Sequence, residues 1–229
     1  SAGAGQAWDR HYEASIALDA NGLVTGFAVK LVDDLGATGE SYGAVSCAKP
    51  LASFTGPYKI PTASYDLTIV ATNKLPTGAY RGMGPPPHNW VLESLLDEAA
   101  RELALDPAEI RRRNYIPKDA FPYTIPSGNE YDSGDYEAAL DTVLAMSKYP
   151  ELRAAQQKAR AAGKLFGISV VSTIEPGVFD WNAYAIVGAE STGVPEALTV
   201  SLDILGNVTA RLGFSLEGQG QYTVVAQVL

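Results

Sequence analysis

The chain has 229 residues, 46% apolar and 19% charged, enough for one large domain or two small ones with buried cores. A formal net charge of −9 argues against a nucleic-acid surface, which needs a basic patch, and no apolar run is long enough to span a bilayer. The single cysteine, Cys47, excludes an internal disulfide and fits a reducing, cytoplasmic setting. With only His11 and His88 available, a protein zinc site is not expected. The basic cluster Arg111-Arg112-Arg113 reads as a solvated face. The opening SAGAGQAWDR has no basic segment followed by an apolar one, so it reads as a cut loop rather than a signal peptide.

Apolar residues alternate over 12–18 (Tyr12, Ala14, Ile16, Leu18), the pattern of a half-buried strand. Asp19-Ala20-Asn21-Gly22 then supplies hairpin-turn chemistry, and 23–32 returns as a second strand. The Gly/Ser/Ala-rich stretch 36–57 reads as an ordered loop or a short helix. A strand near 65–72 leads into the Pro/Gly-rich segment 75–87. From there the period becomes helical: Leu92, Leu95, Leu96, Ala99 and Leu103 form one stripe, with Glu93, Asp97, Glu98 and Arg101 around it. Asp106-Pro107-Ala108-Glu109 is a helix start, with Asp106 as cap and Glu109 reaching back to close a capping box. Helices follow at 135–147 and 150–162, the second stopped by Gly163. Strands return at 166–173, 183–189, 197–204 and 208–214, with Gly206-Asn207 as a hairpin turn, and 226–229 opens a further helix.

Strands, then helices, then strands predict an α+β fold with mixed or antiparallel sheets, because regular βαβ alternation is missing. The division is strand-rich 11–75, helical 88–163 and strand-rich 165–229.

Two loops carry the candidate chemistry. In Thr77-Gly78-Ala79-Tyr80-Arg81-Gly82-Met83-Gly84, three glycines surround one arginine between a strand and a helix. That lets backbone approach a ligand, and the helix start that follows adds a field favourable to anions; the alternative is a surface turn with a solvated arginine. In Glu217-Gly218-Gln219-Gly220-Gln221-Tyr222-Thr223, an amide side chain sits on a glycine-flanked turn and suits a heterocycle or phosphate. Here the plain alternative is a strand-to-helix turn. Neither loop is a phosphate-binding Gly-Lys-Ser/Thr motif or a dinucleotide fingerprint. No catalytic triad is visible. Glu175 and Glu217 read as capping or solvated carboxylates, and His88 as a helix N-terminal residue rather than a ligand.

The run AYRGMGPPPHNWVLESLLDEAARELALDPAEIRRRNYIP resembles a signature of the molybdenum hydroxylases, the xanthine dehydrogenase/aldehyde oxidase family. There an Ala-Phe/Tyr-Arg-Gly loop precedes a helix patterned E-x-x-x-D-E-x-A-x-x-L-x-x-D-P. The segments ASIALDANGLVTGFAVKLVDDLGA, GPYKIP, GISVVSTIEP and GQGQYTVVAQ match in the same order, so the resemblance runs from about Tyr12 to the end. It implies an internal piece of the large, molybdenum-cofactor-binding subunit. It implies a pyranopterin molybdenum cofactor (molybdopterin or its cytosine dinucleotide) and hydroxylation of aldehydes or N-heterocycles with oxygen from water. It also implies partners: the rest of the large subunit, and subunits or domains carrying 2Fe-2S clusters and FAD.

Carried over by position, Tyr80, Arg81 and Gly82, together with Gly218, Gln219, Gly220 and Thr223, would contact the cofactor. Met83, Val170 and Val171 would face substrate. Gly82 stands where the carbon monoxide dehydrogenases carry a copper-binding cysteine. Met83, Val170 and Val171 replace the aromatic clamp of xanthine oxidisers, which disfavours purines. The family's preceding glycine-rich segment and its general-base glutamate, far toward the C-terminus, have no counterpart in the chain. The competing reading is a stand-alone, non-catalytic binding module that kept the fold.

Three expectations follow from the resemblance. The Arg81 and Gln219 loops converge, with Cα atoms within roughly 15 Å, the span of two side chains and a ligand at hydrogen-bond distances. Apolar faces near Val170 and at 225–229 are uncovered, giving a homodimer or a disordered C-terminal tail. The isolated chain is folded but inactive, since it lacks a carboxylate base within reach of the proton to be removed. Assay of the cofactor-loaded chain with aldehydes and N-heterocycles, using an artificial electron acceptor, should detect no turnover.

Overall fold

The alternation over 12–18 becomes β1 (Asp9–Leu18), and Asp19-Ala20-Asn21-Gly22 turns the chain into β2 (Val24–Asp34). Asp19 holds that turn: Oδ1 accepts the N–H groups of Asn21 and Leu23, both at 2.9 Å. Gly22 takes a φ of +81° there, a region costly for a side chain with a Cβ. β1 and β2 are antiparallel, whereas β3 (Ala63–Val70) joins β2 in parallel, giving a mixed sheet in the order β1-β2-β3. A parallel neighbour requires a crossover. The Gly/Ser/Ala-rich stretch supplies it, as α1 (Gly43–Ala48) and a 3-10 turn (Lys49–Ser53).

This computed structural model describes residues 6–38, 43–175, 197–214, 218 and 220–229. Contacts divide the chain into two units, Ser1–Pro176 and Gly177–Leu229.

β2 is the centre of the first unit. Its period-two pattern buries Phe27, Val29 and Leu31 on one face, against Phe54, Tyr58, Ile60 and the Leu92 and Leu96 stripe of α2 (Pro85–Glu102). Asp106 caps α3 (Pro107–Asn114), accepting from Ala108 N–H at 2.8 Å. Glu109 does not complete the expected box; its carboxylate takes Arg113 Nε at 2.8 Å instead. Asp135 caps α4 (Tyr136–Met146), and Gly163, at φ +70°, ends α5 (Tyr149–Ala161). A short hairpin, β4 (Tyr123–Thr124) and β5 (Glu130–Tyr131), interrupts the helical region.

Two expectations are corrected. Arg111 does not belong to a solvated face: it is fully buried, and so are Glu93 and Tyr58. Glu93 Oε2 accepts from Arg111 Nε at 2.8 Å and from Ser172 N–H at 3.2 Å, while Oε1 accepts from Tyr58 Oη at 2.6 Å. Arg112 and Arg113 do lie toward solvent, pairing with Asp141 and Glu109. The second correction concerns 166–173, which is extended but forms no strand with the described residues. Its alternation is real, since Ile168, Val170 and Ile174 pack on the core while Val171 faces out. No ladder edge takes up its backbone; side chains do, with Gln156 Nε2 donating to the Phe166 carbonyl at 2.8 Å and Glu93 accepting Ser172 N–H.

In the second unit β6 (Leu198–Leu202) and β7 (Val208–Leu212) pair antiparallel, with Leu198 opposite Leu212. Asp203 repeats the device of Asp19, accepting the N–H groups of Leu205 and Asn207 at 2.8 and 2.9 Å. α6 (Gln221–Val228) follows, so 225–228 form helix rather than a loose tail, with Val228 and Leu229 exposed. The strand expected at 183–189 lies outside the described residues. Among the described residues no helix is long and apolar enough to cross a membrane. The α+β expectation with mixed and antiparallel sheets holds.

Removing Glu93 would leave the buried Arg111 with Asp97 alone and take the acceptor from Tyr58 Oη and Ser172 N–H, a change that costs about 3–5 kcal/mol. Urea unfolding of Glu93→Ala should show a loss of that size, whereas Arg113→Ala, on the exposed side of the same helix, should stay within about 0.5–1 kcal/mol of the parent.

Candidate functional site

The glycine-rich loop at 77–84 is built from below. Its entry is fixed by backbone bonds from Thr77 N–H to Leu35 O at 3.1 Å and from Gly78 N–H to Gln6 O at 3.1 Å. Arg10 and Asp33 face each other across β1 and β2, and Asp33 lies on the same buried face of β2 as Phe27 and Leu31. Arg10 Nε donates to Asp33 Oδ2 at 3.0 Å, one terminal nitrogen to Ser46 Oγ at 2.9 Å and the other to the Gly84 carbonyl at 3.3 Å. Burial works against the charged guanidinium, yet the Asp33 carboxylate beside it leaves its pKa above the ordinary arginine value. Trp8 lies against the same guanidinium and meets Tyr80 edge-on, with ring centroids 5.9 Å apart.

The tip is a β-turn over Tyr80, Arg81, Gly82 and Met83, closed by Met83 N–H donating to Tyr80 O at 2.6 Å. Gly82 at φ +91° gives the type II form, which places Arg81 at the leading corner. A Cβ on Gly82 would lie 2.4 Å from Pro86 Cγ, and one on Gly84 would lie 2.0 Å from Ser46 O. Both positions therefore demand glycine. Met83 carries φ +47°, a left-handed conformation that costs a non-glycine residue on the order of 1–3 kcal/mol and persists only where its surroundings fix it. Such strain collects at ligand-binding loops.

Arg81 is exposed and has no ion-pair partner among the described residues, in a chain of net charge −9. The expectation of anion binding at the following helix start needs correction. α2 begins Pro85-Pro86-Pro87, three residues without an N–H, so that terminus offers few backbone donors. The donor that the loop does present to solvent is the Arg81 fork. A planar cation with several donors, on a face kept open by glycines, fits an anionic, hydrogen-bonding cofactor. Among the described residues no cluster of His, Cys, Asp and Glu could hold a metal ion; Cys47 is buried.

Of the other expected residues, Tyr80 is exposed and Met83 half-buried. Val170 packs into the core and only Val171 is presented outward. Gly218, Gly220 (φ +76°) and Thr223, within α6, belong to the second unit. Gln219 and Glu217 lie outside the described residues, and with them the expected approach of Gln219 to Arg81. Within the second unit, Val208, Ala210 and Leu212 of β7 and Tyr222, Val225, Ala226 and Leu229 line an apolar groove of about 630 Å³.

Sequence reading missed Lys49. Its largely buried side chain donates to the Gly82 carbonyl at 3.2 Å and to Glu175 Oε1 at 3.0 Å. The Arg81 turn and the end of the 164–175 segment are thereby brought to one ammonium group. His88 behaves as expected of a structural residue: it is fully buried, stacked on Phe54 at 4.9 Å, and its Nε2 meets the Phe54 carbonyl at 2.8 Å.

Two distinct families of molybdopterin cofactor-binding domain match the chain, one over residues 2–115 and the other over residues 142–229. The nicotine 6-hydroxylase large subunit of Paenarthrobacter nicotinovorans is 35% identical over 225 residues, covering 93% of this chain and 26% of that protein. The carbon monoxide dehydrogenase large chain of Hydrogenophaga pseudoflava is 35% identical over 233 residues, covering 96% of this chain and 28% of that protein. The crystal structure of quinoline 2-oxidoreductase from Pseudomonas putida 86 superposes with a TM-score of 0.83 at 31% identity, over 99% of this chain and 29% of that one. The chain thus spans little more than a quarter of the relatives it matches.

Burial beneath the loop lowers the His88 pKa, the nearby Arg10 charge adding to the effect and the Phe54 carbonyl opposing it. The unfolded chain protonates this side chain near pH 6.5 while the folded chain keeps it neutral. Its contribution to stability is therefore full above that pH and declines as pH falls toward the folded pKa, by up to about 1.4 kcal/mol per unit. Denaturation of the chain and of His88→Gln between pH 7 and 5 should show this slope in the first and its absence in the second.

Proposed function

The chain belongs to the molybdopterin cofactor-binding domain families, and from that premise we propose that it forms part of the large subunit of a molybdenum hydroxylase acting on N-heteroaromatic substrates. The observation that carries this reading is the Arg81 turn: an outward guanidinium without an ion-pair partner among the described residues, on a strained, glycine-defined corner. When bound, the molybdenum-pterin cofactor supplies the oxygen-transfer and redox chemistry. The protein's part is to bind and orient it. Arg81 holds an anionic or hydrogen-bonding portion of the cofactor. By resemblance alone, Gly218, Gln219, Gly220 and Thr223 are further candidate contacts to such a cofactor. In the cytosine dinucleotide form the nucleotide tail adds further phosphate charge for such donors.

Substrate class follows from chemistry and likeness together. Position 82 is glycine, and the sole cysteine, Cys47, is buried, so no thiol stands on the turn for copper. Two of the matched proteins carry N-heterocycles in their names, nicotine and quinoline. Met83 and Val171 offer apolar contact to a ring without the hydrogen-bonding pattern a purine needs. Electrons leave through 2Fe-2S clusters and FAD on partner subunits or domains, in the cytoplasm.

In the assembled enzyme, Arg81→Ala should lower cofactor affinity roughly ten- to hundredfold, the worth of one charge-assisted contact. Arg81→Lys, a point charge without the fork, should recover only part of it. Molybdenum analysis after extended dialysis reads this directly. Undiminished molybdenum in Arg81→Ala would sink the site assignment, and a preference for xanthine or carbon monoxide over N-heteroaromatic rings would sink the substrate class.

A further inference from the structure

Lys49 opens the 3-10 turn in the crossover between β2 and β3, and its side chain is only 8% exposed. Lysine is rarely so buried unless its ammonium is used. Here the ammonium reaches the Gly82 carbonyl at 3.2 Å and Glu175 Oε1 at 3.0 Å, 33 and 126 residues away in the chain. Neither contact is a helix neighbour: the crossover carries the lysine to the Gly82 turn, and the Glu175 carboxylate meets its ammonium from the solvent side.

The peptide joining Gly82 to Met83 is planar, with C=O and N–H pointing in opposite directions. Its carbonyl goes to Lys49 and its N–H to Tyr80 O at 2.6 Å. Both ends of the link that follows Arg81 are thus held. A glycine at φ +91° followed by a methionine at φ +47° would otherwise be a freely rotating hinge beside a strained one. Arg10 takes the Gly84 carbonyl, so two cations hold alternate carbonyls of the loop, those of Gly82 and Gly84. Arg81 itself is left to point outward.

We propose that Lys49 is a positioning residue for the Arg81 turn, locking the Gly82 carbonyl to Glu175 so that Arg81 stays aimed at the cofactor. This rests on the reading of that turn as a cofactor contact. Lys49 touches no reacting atom; it acts through the loop.

The test is hydrogen exchange of the Met83 amide in the 229-residue chain, with Leu31 and Leu96 as internal controls. Lys49→Met keeps the apolar stem and removes the ammonium. It should speed Met83 exchange roughly tenfold or more, leave the two core amides unchanged, and be reversed by Lys49→Arg. In the assembled enzyme the same variant should retain less molybdenum after dialysis, again restored by Lys49→Arg. Unchanged Met83 exchange, or equal acceleration at Leu31 and Leu96, overturns the proposal. So does faster Met83 exchange with undiminished molybdenum; if Arg81→Ala also leaves molybdenum undiminished, the cofactor reading of the turn has failed, and if not, the fault lies with Lys49 alone. Should Lys49→Met not fold, Glu175→Ala, altering an exposed carboxylate, takes its place. It should raise Met83 exchange in the same selective way, and failure to do so is equally decisive.

Discussion

Glu93 and Arg111 meet inside the first unit, and four segments are defined by that meeting. Glu93 comes from the middle of α2 and Arg111 from α3; Tyr58 follows the crossover, and Ser172 belongs to the extended stretch after α5. Arg111 also donates to the Glu93 and Pro107 carbonyls and pairs with Asp97 at 2.9 Å. An ion pair taken out of water contributes little net stability over a well-packed apolar replacement. What it does is penalise every arrangement that leaves one partner buried alone. A single register of α2 against α3, and a single path for 164–175, satisfies all these donors and acceptors together. The network also ties the extended stretch to the core, accepting its backbone N–H at Ser172.

A second buried pair, Arg10 with Asp33, plays the corresponding part beneath the loop. The two residues are direct cross-strand partners, so their geometry is inherited from the hairpin, whose register Asp19 and Gly22 set at the turn. The guanidinium passes that register on to Ser46 in α1 and Gly84 at the head of α2. A local turn thereby governs the position of a loop about sixty residues later in the sequence. The path runs through rigid elements and hydrogen bonds throughout.

Much of this was legible in the sequence where the signal is local. The hairpin at Asp19, the cap at Asp106 and the stop at Gly163 depend on residues within a few positions of each other, and all formed as read. Arg111 was misread because burial of a charge depends on a partner eighteen residues away, and three adjacent arginines look alike until α3 assigns each a face. The segment 166–173 was misread because alternation reports which side chains are buried, not whether a neighbouring strand supplies hydrogen bonds. At the site, the Arg81 turn could be read from its glycines and from resemblance. Lys49 could not, since nothing near it in sequence distinguishes it from a surface lysine; only the crossover brings it to Gly82 and Glu175.

The three prolines after the loop leave the head of α2 few backbone donors, so the recognition we propose there would fall to a side chain. A helix ordinarily begins with N–H groups that need partners, and a helix head buried against a loop would have to find them or leave them unsatisfied at about 1–3 kcal/mol each. Pro85, Pro86 and Pro87 remove that demand, and Pro85 is buried. The helix can then start directly beneath a tight glycine turn, with Pro86 close enough to exclude any Cβ at position 82. The same choice gives up the N–H groups from which helix termini otherwise build anion sites. A loop on such a head must bring its own donors, and Arg81 at the corner of a type II turn is the arrangement that brings most of them while its carbonyls are held from behind by Lys49 and Arg10.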